Sequence, residues 1–346
     1  MGIDPDMEPI VADLKAQIAQ VASTASTLST DVGRWMNEVD NTLNAMKADI
    51  AALKAGGGTT TPPVQEWEPA FPGDTRPGMI RWGCSYNSNG VPSPHETAAG
   101  VAVGVRRTFW RLDQASSIIS TCKADHTAGR LPWVSIKLSA TWQNTANGAL
   151  DTPIINLIKS LGLLGLPVWF SVHHEPEGGN GTAYPDEGQG SEIHWRNMQK
   201  RIRQLLDSAN VTNIAFAPIL MAWTFDTRSG RNPADWWVDG IWDFAGIDHY
   251  VEAANTTVLS TMWKNALAYY KAKGLKIGVA EWGNKDHTLT GAAEMQEWFD
   301  HLRTNNVVGA AYFDTSLNGG VPLSGDALIK FRELMNSPYS LLVSEV

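Results

Sequence analysis

Two glutamates stand at the ends of short runs of β-branched and apolar residues. Glu175 follows the run 168–173, and Glu281 follows the run 277–280. Two carboxyl groups that face each other across a cleft can work as an acid and as a nucleophile or base, which is the pair that cleavage of a glycosidic bond needs. One glutamate alone would say little, because a carboxylate at a strand end is more often a surface or helix-capping group. The pair is the stronger indication.

Further polar side chains stand at neighbouring strand ends, where they can face the same cleft. They are Arg107, Lys137, Asp248 and Tyr250, and His173 and Glu177 flank the first glutamate closely. We assign Lys137, Asp248, His173 and Glu177 to substrate binding. Two alternatives stay open, since Arg107 can also form a buried ion pair that only braces the fold and Lys137 can be a structural cation.

Tryptophan is unusually frequent, with 15 Trp against 7 Tyr and 9 Phe. Its large flat face and single N–H donor suit stacking on flat, partly apolar ligands such as sugars. Trp142, Trp223 and Trp282 each follow a strand end. We therefore predict that these three form the stacking platform of a sugar-binding groove.

The elements that position these residues alternate along the chain from about residue 66 onward. The candidate strands are Met79–Trp82, Val105–Trp110, Trp133–Leu138, Val168–His173, Ile214–Ile219, Ala245–Asp248, Ile277–Ala280 and Ala310–Phe313. Helix candidates include Pro153–Leu164, Glu192–Ala209, Thr257–Lys273, Ala292–Thr304 and Gly325–Asn336. Eight βα units predict an α/β fold, a (β/α)8 TIM barrel, whose active site lies at the carboxyl ends of the strands. A doubly wound open sheet is the alternative, but no G-x-G-x-x-G follows a strand.

The amino-terminal region has a different pattern, a heptad repeat. Its apolar positions alternate steps of three and four: Val11, Leu14, Ile18, Val21, Ala25, Leu28, Val32, Trp35 and Val39. This repeat predicts a coiled-coil helix over residues 1–54, with residues 8–54 joining parallel copies of the chain. A single helix folded back on the main domain is the alternative. A Gly/Thr/Pro linker over residues 55–66 then separates the helix from the barrel domain at 67–346.

Composition excludes several other classes of protein. The net charge of −9 argues against nucleic acid as a partner, because binding phosphate backbones needs a basic face. No apolar run approaches the ~20 residues of a membrane span. The first residues are acidic, so we expect no signal peptide. Two cysteines, Cys84 and Cys122, and eight His without metal-ligand spacing predict no structural zinc, no catalytic metal and no cofactor.

The strand-end motifs resemble a known family of enzymes. His174-Glu175 at the fourth strand, residues 236–250 and Ala280-Glu281-Trp282-Gly283 are similar to glycoside hydrolase family 26 and its relatives in clan A. The resemblance spans roughly residues 79–315. It implies a retaining, double-displacement glycoside hydrolase of the endo type with two glutamates.

The resemblance also implies roles for individual residues. Glu175 matches the acid/base and Glu281 the nucleophile, and Tyr250 matches a tyrosine that hydrogen-bonds the nucleophile. His174 would hold the acid/base or a substrate hydroxyl, and Arg107 would neutralise the nucleophile. The segment after Glu175 lacks the aromatic cluster of family 26 β-mannanases, so mannan specificity is not expected to transfer.

The combination of a coiled coil and a glycosidase-like domain resembles bacteriophage tail or minor tail proteins that bind and trim host-envelope polysaccharide. It implies a location on the virion tail or the outer surface of the host, with other tail proteins as further partners. Two alternatives stay open: a receptor module that binds glycan without cleaving it, and a mainly structural tail protein. The glutamate pair favours the enzyme, because a lectin has no need of a matched acid and nucleophile.

We predict that the full chain is a parallel trimer. The mixture of β-branched residues, Leu and Trp along the repeat does not choose between two and three strands, and the resemblance to tail proteins implies three. Light scattering should give three times the chain mass of 37.7 kDa. Removal of residues 1–58 should give a monomer. A monomeric full chain, or an unchanged oligomeric state after truncation, would contradict the prediction.

Overall fold

The computed structural model describes residues 67–178, 189–251, 259–284 and 291–345, and a few residues between 15 and 47. The chain divides into two compact units, Met1–Glu66 and Trp67–Val346. In the first unit the described residues, 15, 17–22, 43 and 47, are helical, and the side chains of Ile18, Val21 and Leu43 are exposed. Most of the predicted coiled coil and the whole linker lie outside the described residues, so both stay predictions.

The second unit is built on one sheet of parallel strands. They are β1 (Arg81–Tyr86), β2 (Val105–Arg111), β3 (Leu131–Lys137), β4 (Val168–Val172), β5 (Ile214–Phe216), β6 (Ile219–Met221), β7 (Ala245–Val251), β8 (Ile277–Asn284) and β9 (Gly309–Asp314). Their order is β5-β4-β3-β2-β1-β9-β8-β7-β6. The two ends of this order are consecutive segments of chain, so the sheet curls round on itself. The predicted (β/α)8 barrel fold is confirmed.

The predicted fifth strand is broken into two short segments. Ala217 and Pro218 lie between β5 and β6, and Pro218 has no N–H to donate to a ladder. The first segment pairs with β4 and the second with β7. The backbone still connects both sides, since Ala217 donates to the carbonyl of Phe170 and Gly246 donates to the carbonyl of Pro218. Among the described residues the sheet therefore has nine strand segments, where the sequence indicated eight strands.

Helices follow most strands and cover the outside of the sheet. They are α1 (Ser93–Ala99), α2 (Ala115–Ala128), α3 (Trp142–Ala146), α4 (Asp151–Gly162), α5 (Glu192–Ala209), α6 (Thr261–Ala272), α7 (Ala292–Thr304) and α8 (Gly325–Met335). The five predicted helices correspond to α4–α8 within a few residues. The first three were not predicted, because α1 and α3 are short and α2 is rich in serine and threonine, with Ile118 and Cys122 among its few buried residues.

Aromatic rings fill the interior of the barrel at its amino-terminal end. Trp133 meets Trp169 edge-on at 5.1 Å between ring centroids, and Phe244 lies 5.4 Å from Trp133 and 4.8 Å from Trp169. Facing strands make room for the rings with glycine. A Cβ on Gly278 would lie 2.8 Å from the ring of Trp133, and one on Gly309 would lie 2.8 Å from the ring of Trp169. Large rings opposite glycines thus give a solid floor below the carboxyl ends of the strands.

Most tryptophans belong to the core rather than to a groove. Nine of them have no exposed surface: Trp82, Trp133, Trp142, Trp169, Trp195, Trp236, Trp263, Trp282 and Trp298. The high tryptophan content therefore reflects packing between the sheet, the helices and the barrel floor. Two of the three tryptophans predicted to form the stacking platform, Trp142 and Trp282, are among these nine.

Among the described residues, no helix is long and apolar enough to cross a membrane.

Replacing Trp133 with Ala should destabilise the barrel by about 3–5 kcal/mol, because the change empties the centre of the aromatic floor and breaks the indole hydrogen bond to Ser171. Urea denaturation measures the loss. Leu163→Ala is the control, since Leu163 is 88% exposed, and it should change stability by no more than about 0.5 kcal/mol. Equal effects of the two substitutions would contradict the assignment of Trp133 to a packed floor.

Candidate active site

A pocket opens at the carboxyl ends of the strands, and both candidate glutamates line it. Its volume is about 360 Å³. Glu175 comes from the loop after β4 and Glu281 from β8, and Phe109, Lys137 and His174 contribute to the walls. Glu175 and Glu281 also line a smaller adjoining cavity of about 60 Å³. The fold thus places the two carboxyl groups on one cleft.

A β-bulge in β8 determines where Glu281 points. Val279 pairs with Ile247, but the next aligned pair is Glu281 with Asp248, so the register shifts at Ala280. The pairing with β9 shifts over the same residues. Ala280 packs in the interior of the barrel, and Glu281 also contacts groups inside it. The bulge therefore lets two successive residues face inward, which brings the second one to the pocket.

Two residues from other strands hold the carboxylate of Glu281. The hydroxyl of Tyr250 donates to Oε2 at 2.6 Å, and Nη2 of Arg107 lies 3.6 Å from Oε1. Burial and the charge of Glu281 raise the pKa of Tyr250 well above its usual value, so the phenol keeps its proton and acts as a donor. Tyr250 and Arg107 thus fix the position of the Glu281 carboxylate from two other strands.

Arg107 is fully buried beneath the pocket. Its guanidinium lies 4.6 Å from the ring centroid of Phe109 and 5.7 Å from that of Trp133. Burial lowers the pKa of Arg107, and the charge of Glu281 opposes this shift. Arginine stays protonated even so, because its pKa in water exceeds 12. The pair with Glu281 is consequently a charged pair in a nearly dry environment.

Asp248 lies on β7 in register with Glu281 and is 2% exposed. Burial, with the charges of Glu281 and Glu175, raises the pKa of its carboxyl well above the usual range, so the group is neutral. Neither carboxyl oxygen has a hydrogen-bond partner among the residues that the structure describes. The prediction that Asp248 binds substrate is therefore wrong for this structure, because its oxygens are not accessible from the pocket.

The two histidines after β4 point in different directions. His173 has a φ of 51°, in the left-handed region, and its Nε2 accepts a hydrogen bond from the backbone N–H of Leu138 at 3.0 Å. Its ring packs edge-on against Trp142 at 5.9 Å, and the residue is 1% exposed. The prediction that His173 binds substrate is wrong, because this side chain braces the loop after β3. Burial lowers its pKa to about 3, so it is neutral.

His174 faces the pocket. Its Nδ1 shares a hydrogen bond of 3.1 Å with the hydroxyl of Ser135, and its ring lies 5.6 Å from that of Phe109. Burial and the nearby charge of Arg107 lower the pKa of His174 well below its usual value, so the ring is neutral. A neutral imidazole beside Glu175 can exchange hydrogen bonds with a sugar hydroxyl without adding charge to the site.

Glu175 itself is held by its backbone. Its φ is 49°, and its N–H donates to the carbonyl of Ile219 at 2.9 Å. Left-handed φ at a residue other than glycine is uncommon and is found where the surroundings impose it, often at functional sites. The side chain is half-buried and lines both cavities.

Glu177 does not reach the pocket. It is fully buried, and its Oε1 accepts from the backbone N–H of Met221 at 2.7 Å and from the hydroxyl of Thr224 at 2.9 Å. Burial raises its pKa to about 7. The prediction that Glu177 binds substrate is wrong, since this carboxyl ties the loop after β4 to the segment after β6.

Two of the three predicted stacking platforms are also wrong. Trp282 follows the bulge and turns outward, where its ring packs against those of Trp82 and Tyr312. Trp142 is fully buried against the loop after β4. Trp223 remains a candidate, because it is 40% exposed, with the guanidinium of Arg228 5.5 Å from its ring.

Several pocket residues were not predicted from the sequence. They are Phe109, Trp110, Arg111, Phe313 and Asn318. The sequence pattern could have identified two of them. Phe109 and Arg111 lie two and four residues after Arg107, and residues at even spacing on a strand share one face. Lys137 lines the pocket as well, and its binding of substrate stays a prediction. Over the described ranges, no group of three His, Cys, Asp or Glu side chains could hold a metal ion.

Comparison with solved structures identifies proteins of similar fold. A family 26 β-mannanase from Bacteroides ovatus is 14% identical, with a TM-score of 0.54 over 78% of this chain and 91% of that one. The family 26 domain of an endo-β-mannanase/endo-β-glucanase from Prevotella bryantii is 12% identical, with a TM-score of 0.59 over 80% and 99%. A fungal β-1,4-galactanase is 14% identical, with a TM-score of 0.52 over 74% and 99%.

These similarities show a shared fold, and the fold neighbours include the family that the strand-end motifs resemble. No protein-family model matches the sequence, and no relative was found among curated proteins. The structure is thus a (β/α)8 barrel with two glutamates on one cleft at the carboxyl ends of its strands.

Replacing Glu177 with Gln should change how stability depends on pH. The carboxyl titrates near 4.5 in the unfolded chain and near 7 in the folded protein. A carboxyl whose pKa is raised by folding makes the wild type lose stability as pH rises from about 4.5 through about 7, whereas glutamine does not titrate. Relative to the wild type, Glu177→Gln should gain roughly 3 kcal/mol in free energy of unfolding between pH 4 and pH 8.

Urea denaturation at the two pH values measures this gain. The exposed Glu297→Gln is the matched control and should show no comparable gain. A stability difference between wild type and Glu177→Gln that does not vary with pH would contradict the prediction.

Proposed function

We propose that this protein is a retaining glycoside hydrolase that cleaves a polysaccharide within its chain by double displacement. The observation that carries the proposal is the pair of glutamates on one cleft with unlike surroundings. Glu281 contacts Arg107 and Tyr250, and Glu175 lies beside the neutral His174. Glycoside hydrolysis needs this asymmetry, because one carboxyl must be ionised while the other is protonated.

In the first step Glu175 donates its proton to the glycosidic oxygen while Glu281 attacks the anomeric carbon. Tyr250 holds Oε2 of Glu281 at 2.6 Å, whereas Oε1 has the longer contact with Arg107, 3.6 Å, and is the oxygen available for attack. The departing chain leaves with the proton from Glu175, and the remaining sugar is bonded to Glu281.

In the second step Glu175, now ionised, takes a proton from water, and the water oxygen displaces Glu281 from the anomeric carbon. Arg107 and Tyr250 again receive a free carboxylate. Because each step inverts the anomeric carbon, the product keeps the configuration of the substrate.

Cleavage within the chain fits the names of the fold neighbours, which include an endo-β-mannanase/endo-β-glucanase. The substrate of this protein is proposed to differ from theirs. Among the described residues that line its pocket, the Phe and Trp side chains are Phe109, Trp110 and Phe313. The sequence after Glu175 has no aromatic cluster of the mannanase kind.

We further propose that the barrel is carried on a phage tail by a trimeric amino-terminal coiled coil and acts on a polysaccharide of the host envelope. The heptad repeat over residues 8–54, the exposed side chains of Ile18 and Val21, and the Gly/Thr/Pro spacer support this arrangement. In such an assembly three barrels work on one surface, so weak binding by each adds up.

Glu281→Gln should abolish turnover, because no covalent intermediate can form. Glu175→Gln should slow natural glycans, whose leaving groups need a proton, by at least ~10³-fold, and should slow activated aryl glycosides far less. Release of reducing ends from host-envelope glycans and of nitrophenol from aryl glycosides measures the two effects. Ser88→Ala, a change at the pocket rim, is the control and should retain most of the activity.

Both variants should fold, as circular dichroism can verify, but Glu281→Gln should be the less stable of the two, because it leaves the buried Arg107 without its counter-charge. An inactive wild type whose affinity for glycan is unchanged in the double Gln variant would overturn the enzyme proposal. That result would favour a receptor module that binds glycan without cleaving it.

A further inference from the structure

Two basic side chains stand side by side at the mouth of the pocket. Arg111 ends β2 and Lys137 ends β3, and the two residues are direct partners in the parallel register. Both are exposed, and both line the 360 Å³ pocket together with Glu175 and Glu281. Neither proton transfer nor nucleophilic attack uses them.

The alternation of the strands directs both side chains toward the cleft. Arg107 and Trp133 are register partners that face the barrel interior, and Arg111 and Lys137 are the partners four residues further on. Residues at even spacing on a strand lie on the same face. The cationic pair therefore stands directly above the buried Arg107, on the wall that leads down to Glu281.

Like charges directly opposite each other on neighbouring strands repel and are unfavourable. Strands in a sheet lie about 4.8 Å apart, so the two cations share one small region of space. Asp113 lies 3.6 Å from Arg111, but both side chains are about 70% exposed, and an ion pair in that setting contributes little. A negatively charged ligand group placed between the two side chains would be attracted by both charges.

The charge of Lys137 extends into the site, since it contributes to the lowered pKa values of His173 and His174. Among the described residues that line the pocket, the acidic ones are Glu175 and Glu281, and both are assigned to the reaction. The protein as a whole carries a net charge of −9. Arg111 and Lys137 are therefore a local pair of positive charges on an acidic protein, which is a pattern that suits a subsite for an anion.

We propose that the pocket binds an acidic sugar, with Arg111 and Lys137 contacting its negatively charged substituent, so that the substrate is an anionic polysaccharide. This inference rests on the proposed hydrolase function and specifies its substrate class. A guanidinium can bind a carboxylate through two parallel hydrogen bonds, and an ammonium adds a point charge beside it. The substituent is a uronic acid carboxylate or a phosphodiester, which share this chemistry.

The test compares each glycan with its uncharged counterpart. Glucuronate-containing polysaccharides are measured beside the same polymers after reduction of their carboxyl groups to alcohols, and a glycan that carries phosphodiester side groups is measured beside the same glycan after removal of those side groups. For the wild type we expect kcat/KM to be 10- to 100-fold higher on the charged member of one of these pairs. Which pair shows the preference identifies the substituent.

Variants of Arg111 and Lys137 test whether these two side chains cause the preference for charged glycans. Lys137→Met and Arg111→Gln should each lower the charged-to-uncharged ratio about tenfold, and Lys137→Arg should retain it. Lys123→Met removes the same charge from the exposed face of α2 and should leave both the ratio and the activity unchanged. Raising the salt concentration should reduce the ratio in the wild type, because the contacts are exposed to solvent.

Binding to the Glu281→Gln variant separates this inference from the proposed function. If no glycan is cleaved but calorimetry shows tighter binding of the charged polymer, and Lys137→Met removes the difference, the hydrolase proposal fails and the anionic subsite stands. If the wild type cleaves or binds the charged and uncharged members equally in every pair, the anionic subsite is overturned and the hydrolase proposal is unaffected.

Discussion

The guanidinium of Arg107 is buried without access to water, so the residues around it must compensate its charge. Removing a charged group from water costs several kcal/mol unless a counter-charge and further polar contacts replace the lost hydration. For Arg107 the counter-charge is Glu281, and the rings of Phe109 and Trp133 provide polarisable faces. One buried positive charge can balance one negative charge. For Asp248, the carboxyl in register with Glu281 on the neighbouring strand, burial and the charge of Glu281 raise the pKa well above its usual range. The buried Arg107 thus has Glu281 as its direct partner, while Asp248 forms no ion pair with it among the described contacts.

The two carboxyl groups depend on departures from regular strand geometry. Glu281 faces inward because β8 contains a bulge, and Glu175 takes its place because the chain after β4 adopts left-handed φ values at His173 and Glu175. Such conformations cost energy and persist only where the surroundings hold them. After β4 these contacts come from Leu138 and Trp142, which bind and pack against His173, and from Ile219, which accepts the hydrogen bond of the Glu175 N–H. Regular strands would have carried these side chains elsewhere.

The same departures separate what the sequence could predict from what it could not. Alternation along β2 and β7 is regular, so Arg107 and Tyr250 could be assigned to the cleft from parity and motif, and the structure brings both to Glu281. Trp282 and His173 stand next to the irregular positions, where one extra residue or one left-handed φ reverses the side-chain direction. Neither the bulge nor the left-handed φ values could be predicted from the amino-acid sequence, because both depend on contacts with residues distant in sequence. The barrel itself was predictable, since eight alternating units are a repeated pattern, whereas the break at Pro218 lay inside a short run of apolar residues.

The break between β5 and β6 makes the side of the cleft that carries Glu175 less firmly hydrogen-bonded than the side that carries Glu281. β5 and β6 have three residues each, and each pairs on one side, whereas β8 is hydrogen-bonded to long strands on both sides. Local opening in proteins favours the region with the fewest cooperative hydrogen bonds. Glu175 is tied through its N–H to Ile219 in the short segment, so local opening there would displace Glu175, the proposed acid/base, more than Glu281. In the proposed reaction Glu281 forms a bond to the sugar, whereas Glu175 acts first on the departing chain and then on a water molecule. A firmly held Glu281 and a more easily displaced Glu175 suit these two roles.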